Sequence, residues 1–177
     1  MPNTADGRRE AWPIVEQTWQ STFNRAKQLP ESVLHENVGG EWSFVETQRH
    51  LLFVTDVWVR RSVLDELGAW HRLGMPPDLR TGQPDTGGAV SRWGIDIWAT
   101  PSFDEVLGVR AEYMSLMRDV VSDLTPDKLK QASAHNPPWI PPATEIPMGV
   151  CLGVVIREEW EHHEFATRDL AVLENRV

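Results

Sequence analysis

The stretch from Leu152 to Leu173 constrains this chain most. At about 100° per residue around a helix axis, Leu152, Val155, Ile156, Ala166, Leu170 and Leu173 form one apolar stripe, and Arg157, Glu158, Glu161, Glu164 and Arg168 fall opposite. A long amphipathic helix follows, and its stripe must be covered by other elements. Within EEWEHHEFATRDL, Glu159 and His163 are four residues apart and land in the middle of the stripe, while His162 falls at its edge. An ionised carboxylate taken out of water is costly unless it is paired, hydrogen-bonded or bound to a metal. The helix is therefore expected to bury a partner for Glu159.

Three further segments carry helical periodicity, and none shows sustained strand alternation. The first runs from about Arg9 to Lys27, with Pro13 in an opening turn and Ile14, Val15, Trp19, Phe23 and Ala26 on one side. The second opens at Ser43 and Glu46, an S-x-x-E capping box, and carries Phe44, Leu51, Val54 and Trp58 toward a stop near Gly68. The third is capped by Thr100 or Ser102 and carries Val106, Leu107, Tyr113, Met114, Met117 and Val121 to about Leu124. Pro147 starts the last. Between the second and third, the Gly- and Pro-rich stretch from Gly68 to Thr100 is too long for a bundle turn and reads as a crossover loop. HNPPWIPPATEIP makes a second long connection. The expected fold is all-α: a four-helix bundle with long crossover connections, one domain over residues 1–177.

Composition narrows the function. With 17 basic against 26 acidic residues, net −9, and no basic cluster along the chain, nucleic-acid binding is disfavoured. No apolar run is long enough to span a bilayer, and MPNTADGRRE has no apolar signal region behind it, so no membrane role is expected. The single cysteine, Cys151, cannot form an intrachain disulfide, which fits a reducing cytoplasm. It lies in CLGVVI without an electropositive setting and reads as a small core residue. Nine tryptophans are scattered and suit packing. No P-loop, dinucleotide-binding glycine pattern or serine nucleophile motif is present.

A metal site needs ligands from a second helix. His50 lies on the apolar side of helix two with Val54, Val57 and Trp58, whereas Arg49, Asp56 and Arg60 take the far side. Alone, such a histidine is more often a core residue with a satisfied ring nitrogen. Joined to Glu159 and His163 it completes two imidazoles and a carboxylate, a donor set suited to Zn2+ with one open position, or to Ni2+, Fe2+ or Mn2+ with more. His162 is the reserve ligand if the helix is rotated. His35, His71 and His135 fall in loops as surface histidines, with His71 a candidate for the bundle mouth. Arg61 points inward and is expected to snorkel or pair with Asp65.

WSFVETQRHLL in helix two, followed by EEWEHHEFATRDL in the last helix, resembles the DinB-like family of four-helix-bundle metalloproteins over nearly the whole chain. The resemblance implies a divalent metal held by a histidine of an H-L motif and by a pair on the last helix, which map to His50, Glu159 and His163. Glu159 stands where many members have His, as it does in the related mycothiol-dependent maleylpyruvate isomerases. The stretch after the last helix is too short for the isomerase's second domain, so isomerisation is not carried over. The resemblance implies a metal-dependent thiol S-transferase or hydrolase using Zn2+ or Ni2+, acting on a small-molecule substrate such as a thiol. It also implies, together with the tryptophan excess, a homodimer, and the lone cysteine and absent signal region place it in the cytoplasm. The alternative is a non-catalytic metal-binding bundle that acts through self-association or a protein partner.

Overall fold

Thr4 opens the first helix one turn earlier than the apolar pattern suggests. In the computed structural model, which describes residues 3–68, 70–77, 79 and 88–176, the Thr4 hydroxyl accepts the Gly7 N–H at 3.1 Å and helix α1 spans Ala5–Ala26. Pro13 is consequently interior and not in the opening turn; its ring is on the exposed side, where water can reach the carbonyl that its missing N–H leaves behind. Trp12, Val15, Trp19, Phe23 and Ala26 are buried, whereas Ile14 is 54% exposed and does not share their face.

Helix α2 is a single turn, Glu31–Leu34. Helix α3 covers Phe44–Thr55 and begins with the expected capping box: Ser43 Oγ accepts the Glu46 N–H at 3.2 Å and Glu46 Oε2 accepts the Ser43 N–H at 2.9 Å. A π-helical segment, Asp56–Arg61, continues it. After the short α4, Ala89–Arg92, helix α5 runs over Phe103–Ser122 with Ser102 as its cap, and α6 spans Met148–Glu174 after Pro147. Helix α3 packs on α5 and α6, and α1 packs on the same two. Around the bundle, α1 thus lies opposite α3, and α5 opposite α6. The fold is all-α; among the described residues the one β-type pairing is an isolated bridge between Ala132 and Pro147. No helix among them is long and apolar enough to cross a membrane.

The first crossover is built into the core. Leu73, Met75, Val90, Ile95 and Ile97 are buried, and Phe53 of α3 stacks on Trp70 at 5.6 Å and meets Trp93 at a tilt at 6.1 Å. Arg49, expected on the far side of helix two, faces this connection and is fully buried. It donates to the carbonyls of Leu73, Ala99 and Asp96 at 2.9, 2.8 and 2.8 Å. Asp56, likewise expected outside, is 1% exposed and accepts the His71 N–H at 2.8 Å and the Tyr113 hydroxyl at 2.7 Å. Arg61 donates to the Asn136 carbonyl at 3.1 Å, while Asp65 pairs with His135 at 2.6 Å. Arg61 is thus half-buried against the second connection, and the expected pairing with Asp65 is not formed.

Candidate metal centre

One edge of α6 carries Glu158, His162, Phe165 and Asp169, at spacings of four, three and four, and so presents a single face. These four, with Thr47 and His50 of α3 and with Glu41, Trp42 and Pro77 from the connections, line a cavity of about 540 Å3. Helix α6 supplies a carboxylate and an imidazole, and α3 supplies the second imidazole across the groove.

Backbone carbonyls orient both rings. A carbonyl can only accept, so Nδ1 of His50 donates to Met75 O at 2.9 Å, and Nδ1 of His162 donates to Glu158 O at 3.0 Å. Each ring keeps Nε2 as its lone-pair atom, the arrangement in which a histidine ligand is held by an outer hydrogen bond. Nε2 of His50 lies 3.6 Å from Oε2 of Glu158. One potential ligand atom from each of His50, Glu158 and His162 lies within 4.8 Å of the other two. Donors about 2.1 Å from a shared tetrahedral ion are about 3.4 Å apart. Small side-chain adjustments therefore bring the three onto one ion, and the donor set fits it.

The protonation states suit ligation. The neighbouring His50, its Nε2 3.6 Å away, with further help from His162 and Arg157, holds the Glu158 carboxyl below its ordinary range against the opposing effect of burial. Burial pushes His162 down, and the neighbouring His50 adds to this. At neutral pH Glu158 is charged and His162 neutral, the forms a divalent ion requires. Trp42 covers the pair, its ring 4.5 Å from His50 and 5.9 Å from His162, anchored by its indole N–H on Leu79 O at 2.7 Å.

The structure brings His50 to Glu158 and His162, and not to Glu159 and His163. Glu159 is buried as its position in the stripe requires, but its partner is Arg110 of α5, whose two terminal nitrogens donate to its carboxylate at 2.9 and 2.7 Å. His163 turns toward α1, where Nε2 meets Thr22 Oγ1 at 2.8 Å and the ring lies edge-on to Trp19 at 5.1 Å. The sequence contained a signal for this pairing: Arg110 falls in the apolar stripe of α5 between Val106 and Met114, and a buried guanidinium calls for a carboxylate.

The remaining candidates lie elsewhere. Cys151 is fully buried, and burial pushes its thiol up to about 11, consistent with a core residue. His35 pairs with Glu31 at 3.2 Å on the surface. His71 accepts the Leu73 N–H at 3.1 Å beside Tyr113, away from the walls of the 540 Å3 cavity.

A sequence model of the DinB superfamily matches residues 14–166. No curated protein and no solved structure matches the chain.

Proposed function

The chain belongs to the DinB superfamily, and on that premise we propose that it is a divalent-metal-dependent enzyme whose ion is held by His50, Glu158 and His162. The observation that carries this reading is the convergence of one potential ligand atom each from His50, Glu158 and His162 within 4.8 Å of one another, with Nδ1 of both rings turned to a backbone carbonyl. A histidine serving only the core would not need a second ring and a carboxylate aimed at the same point. Two imidazoles and one carboxylate favour Zn2+ or Ni2+ and leave at least one position open.

When bound, such an ion lowers the pKa of a water or thiol and so supplies a nucleophile near neutral pH. The chain's own residues prepare the surroundings. Trp42 excludes water from one side of the two rings, and the 540 Å3 cavity is of a size that admits a small molecule. Glu41, Glu158 and Asp169 make its wall acidic, favouring substrate groups that donate hydrogen bonds or carry positive charge. We favour thiol transfer, with water activation as the competing chemistry.

Metal analysis of untagged protein tests the ligand set. His50→Ala and His162→Ala should each lower bound metal well below one ion per chain, while His163→Ala should leave it unchanged. Full occupancy in the His162→Ala protein would refute the assignment. With Co2+ in place of the native ion, a small cysteine-derived thiol should add a sulfur-to-metal charge-transfer band that saturates; an unchanged spectrum would favour water as the nucleophile.

A further inference from the structure

A second cavity, of about 600 Å3, opens where the start of α1 lies beside the start of α6. Three cationic side chains line it, Arg8, Lys130 and Arg157, and among the described residues no Asp or Glu does. In a chain of net charge −9 that is an uncommon concentration of one sign. The three come from α1, the second connection and α6, so no basic cluster is visible along the sequence. Arg157 approaches Glu158 and Glu161 only at 3.7 and 3.8 Å, with its side chain 51% exposed, loose contacts that leave its guanidinium able to engage a ligand.

Asn3 and Thr4 add polar groups where α1 begins, and the rest of the wall is apolar or lacks side chains. Leu129, Val150 and Val154 supply apolar surface, and Gly149 and Gly153 sit one turn apart on α6. Gly149 has a steric reason, since a Cβ there would stand 2.9 Å from Leu129 O, whereas one at Gly153 would make an ordinary contact with Arg8 Nη2 at 3.5 Å. Each glycine costs a helix interior about 1 kcal/mol relative to alanine; at Gly149 that cost lets the Leu129 backbone approach α6, and Gly153 presents bare backbone beside Arg8, which is 5% exposed overall. Burial pushes Arg8 below its ordinary value. The volume falls within the range of small-molecule sites. Val154 and Arg157 also border a cleft of about 210 Å3 that His50 and Glu158 line as well.

We propose that this cavity is a binding site for a small organic acid, with Arg8, Lys130 and Arg157 holding the carboxylate and Leu129, Val150 and Val154 packing its apolar body. Guanidinium groups favour carboxylates because their donors match the two oxygens. Binding here requires no metal, so it stands or falls apart from the ligand assignment at His50, Glu158 and His162.

Calorimetric titration of the full chain with octanoate tests it, with octan-1-ol and inorganic phosphate as parallel probes. Octanoate should bind saturably, octanol should bind at least about tenfold more weakly, and phosphate should not displace octanoate, since charge and apolar body are both required. Lys130→Gln with Arg157→Gln should weaken octanoate at least about tenfold, as each removes a charge-assisted contact. Val150→Trp, at a half-exposed wall position, should block binding by filling the cavity while keeping all three cations. Metal content and melting temperature serve as controls and should stay near wild type. Equal binding of octanol, effective competition by phosphate, unchanged affinity in both variants, or no saturable octanoate binding below about 10 mM would each overturn the proposal.

Discussion

Arg110→Met should destabilise this protein more than most single substitutions, because it strands a charge at the point where all four long helices meet. Arg110 and Glu159 are each 1% exposed. The guanidinium of α5 makes two bonds to Glu159 of α6, donates to Gln48 of α3 at 3.3 Å, and lies 5.6 Å from the Trp19 ring of α1. Breaking a buried pair from one side typically costs about 3–5 kcal/mol. An independent bound agrees: a carboxylate left without a partner takes up a proton, which at pH 7 costs an ordinary glutamate about 3.7 kcal/mol. At about 2–4 °C per kcal/mol for a domain of this size, the melting temperature should fall by about 6–20 °C. Removing both charges, Arg110→Met with Glu159→Leu, should recover most of the loss, because a well-packed apolar pair replaces a buried ion pair at little cost. Urea and thermal unfolding of the single and double variants complete the cycle, with a coupling of at least about 2 kcal/mol expected. The double variant should also keep its metal, since Glu159 points away from His50. A single variant within about 1 kcal/mol of wild type, or a double variant as unstable as the sum of the singles, would refute the reasoning.

Burial pushes the Asp56 carboxyl up to about 6, although hydrogen bonds from His71 and Tyr113 and the charge of Arg60 oppose the shift. The folded chain therefore holds this proton more tightly than the unfolded chain, and the group's stabilising contribution is present below about pH 4 and lost as pH rises toward 6. Asp56→Asn should flatten that part of the stability profile relative to wild type, and parallel profiles for the two proteins would count against it. Cys151, buried with its thiol pushed up to about 11, should react with a disulfide reagent at pH 8 only after unfolding; reaction of the native protein at the rate of a free thiol would contradict the structure. Ser43→Ala removes one half of the capping box and should cost about 1 kcal/mol, read as a melting temperature lower by about 2–4 °C. No change would mean that the cap does not contribute.

What was legible in the fold follows from how local the cause is. The Ser43 cap, the Ser102 cap and the stripe of α6 depend on neighbours in sequence, and all are present. The start of α1 escaped because Thr4 lies outside the apolar repeat that announces the helix. The crossover escaped for a different reason. Its buried residues, Leu73, Met75, Ile95 and Ile97, have no helical period, and they are held by carbonyl acceptors of Arg49, a bond pattern that no spacing rule encodes. Arg49 and Asp56 looked solvent-facing because a periodicity argument assumes that the side of a helix away from the stripe is wet. Here a connection covers it.

The site turned on a rotation of one residue. Measured from Glu159 at about 100° per residue, Glu158, His162, Phe165 and Asp169 lie at about −100°, −60°, −120° and −80°, while His163 lies at about +40°. All five angles were available from the sequence, but the identity of the neighbour on each side was not. In the bundle, α3 takes the negative side with His50, α1 takes the positive side with Thr22 and Trp19, and α5 reaches the centre through Arg110. The centre of an apolar stripe is the position farthest from solvent, and so the worst place for a site that must exchange substrate. A metal with an open position belongs at the stripe's edge, where two helices part and a cavity can open. Had Arg110 been counted as a buried cation on α5, Glu159 would have been assigned to it. The neighbouring Glu158 and His162, also four residues apart and lying toward one side, would then have been the pair left to join His50.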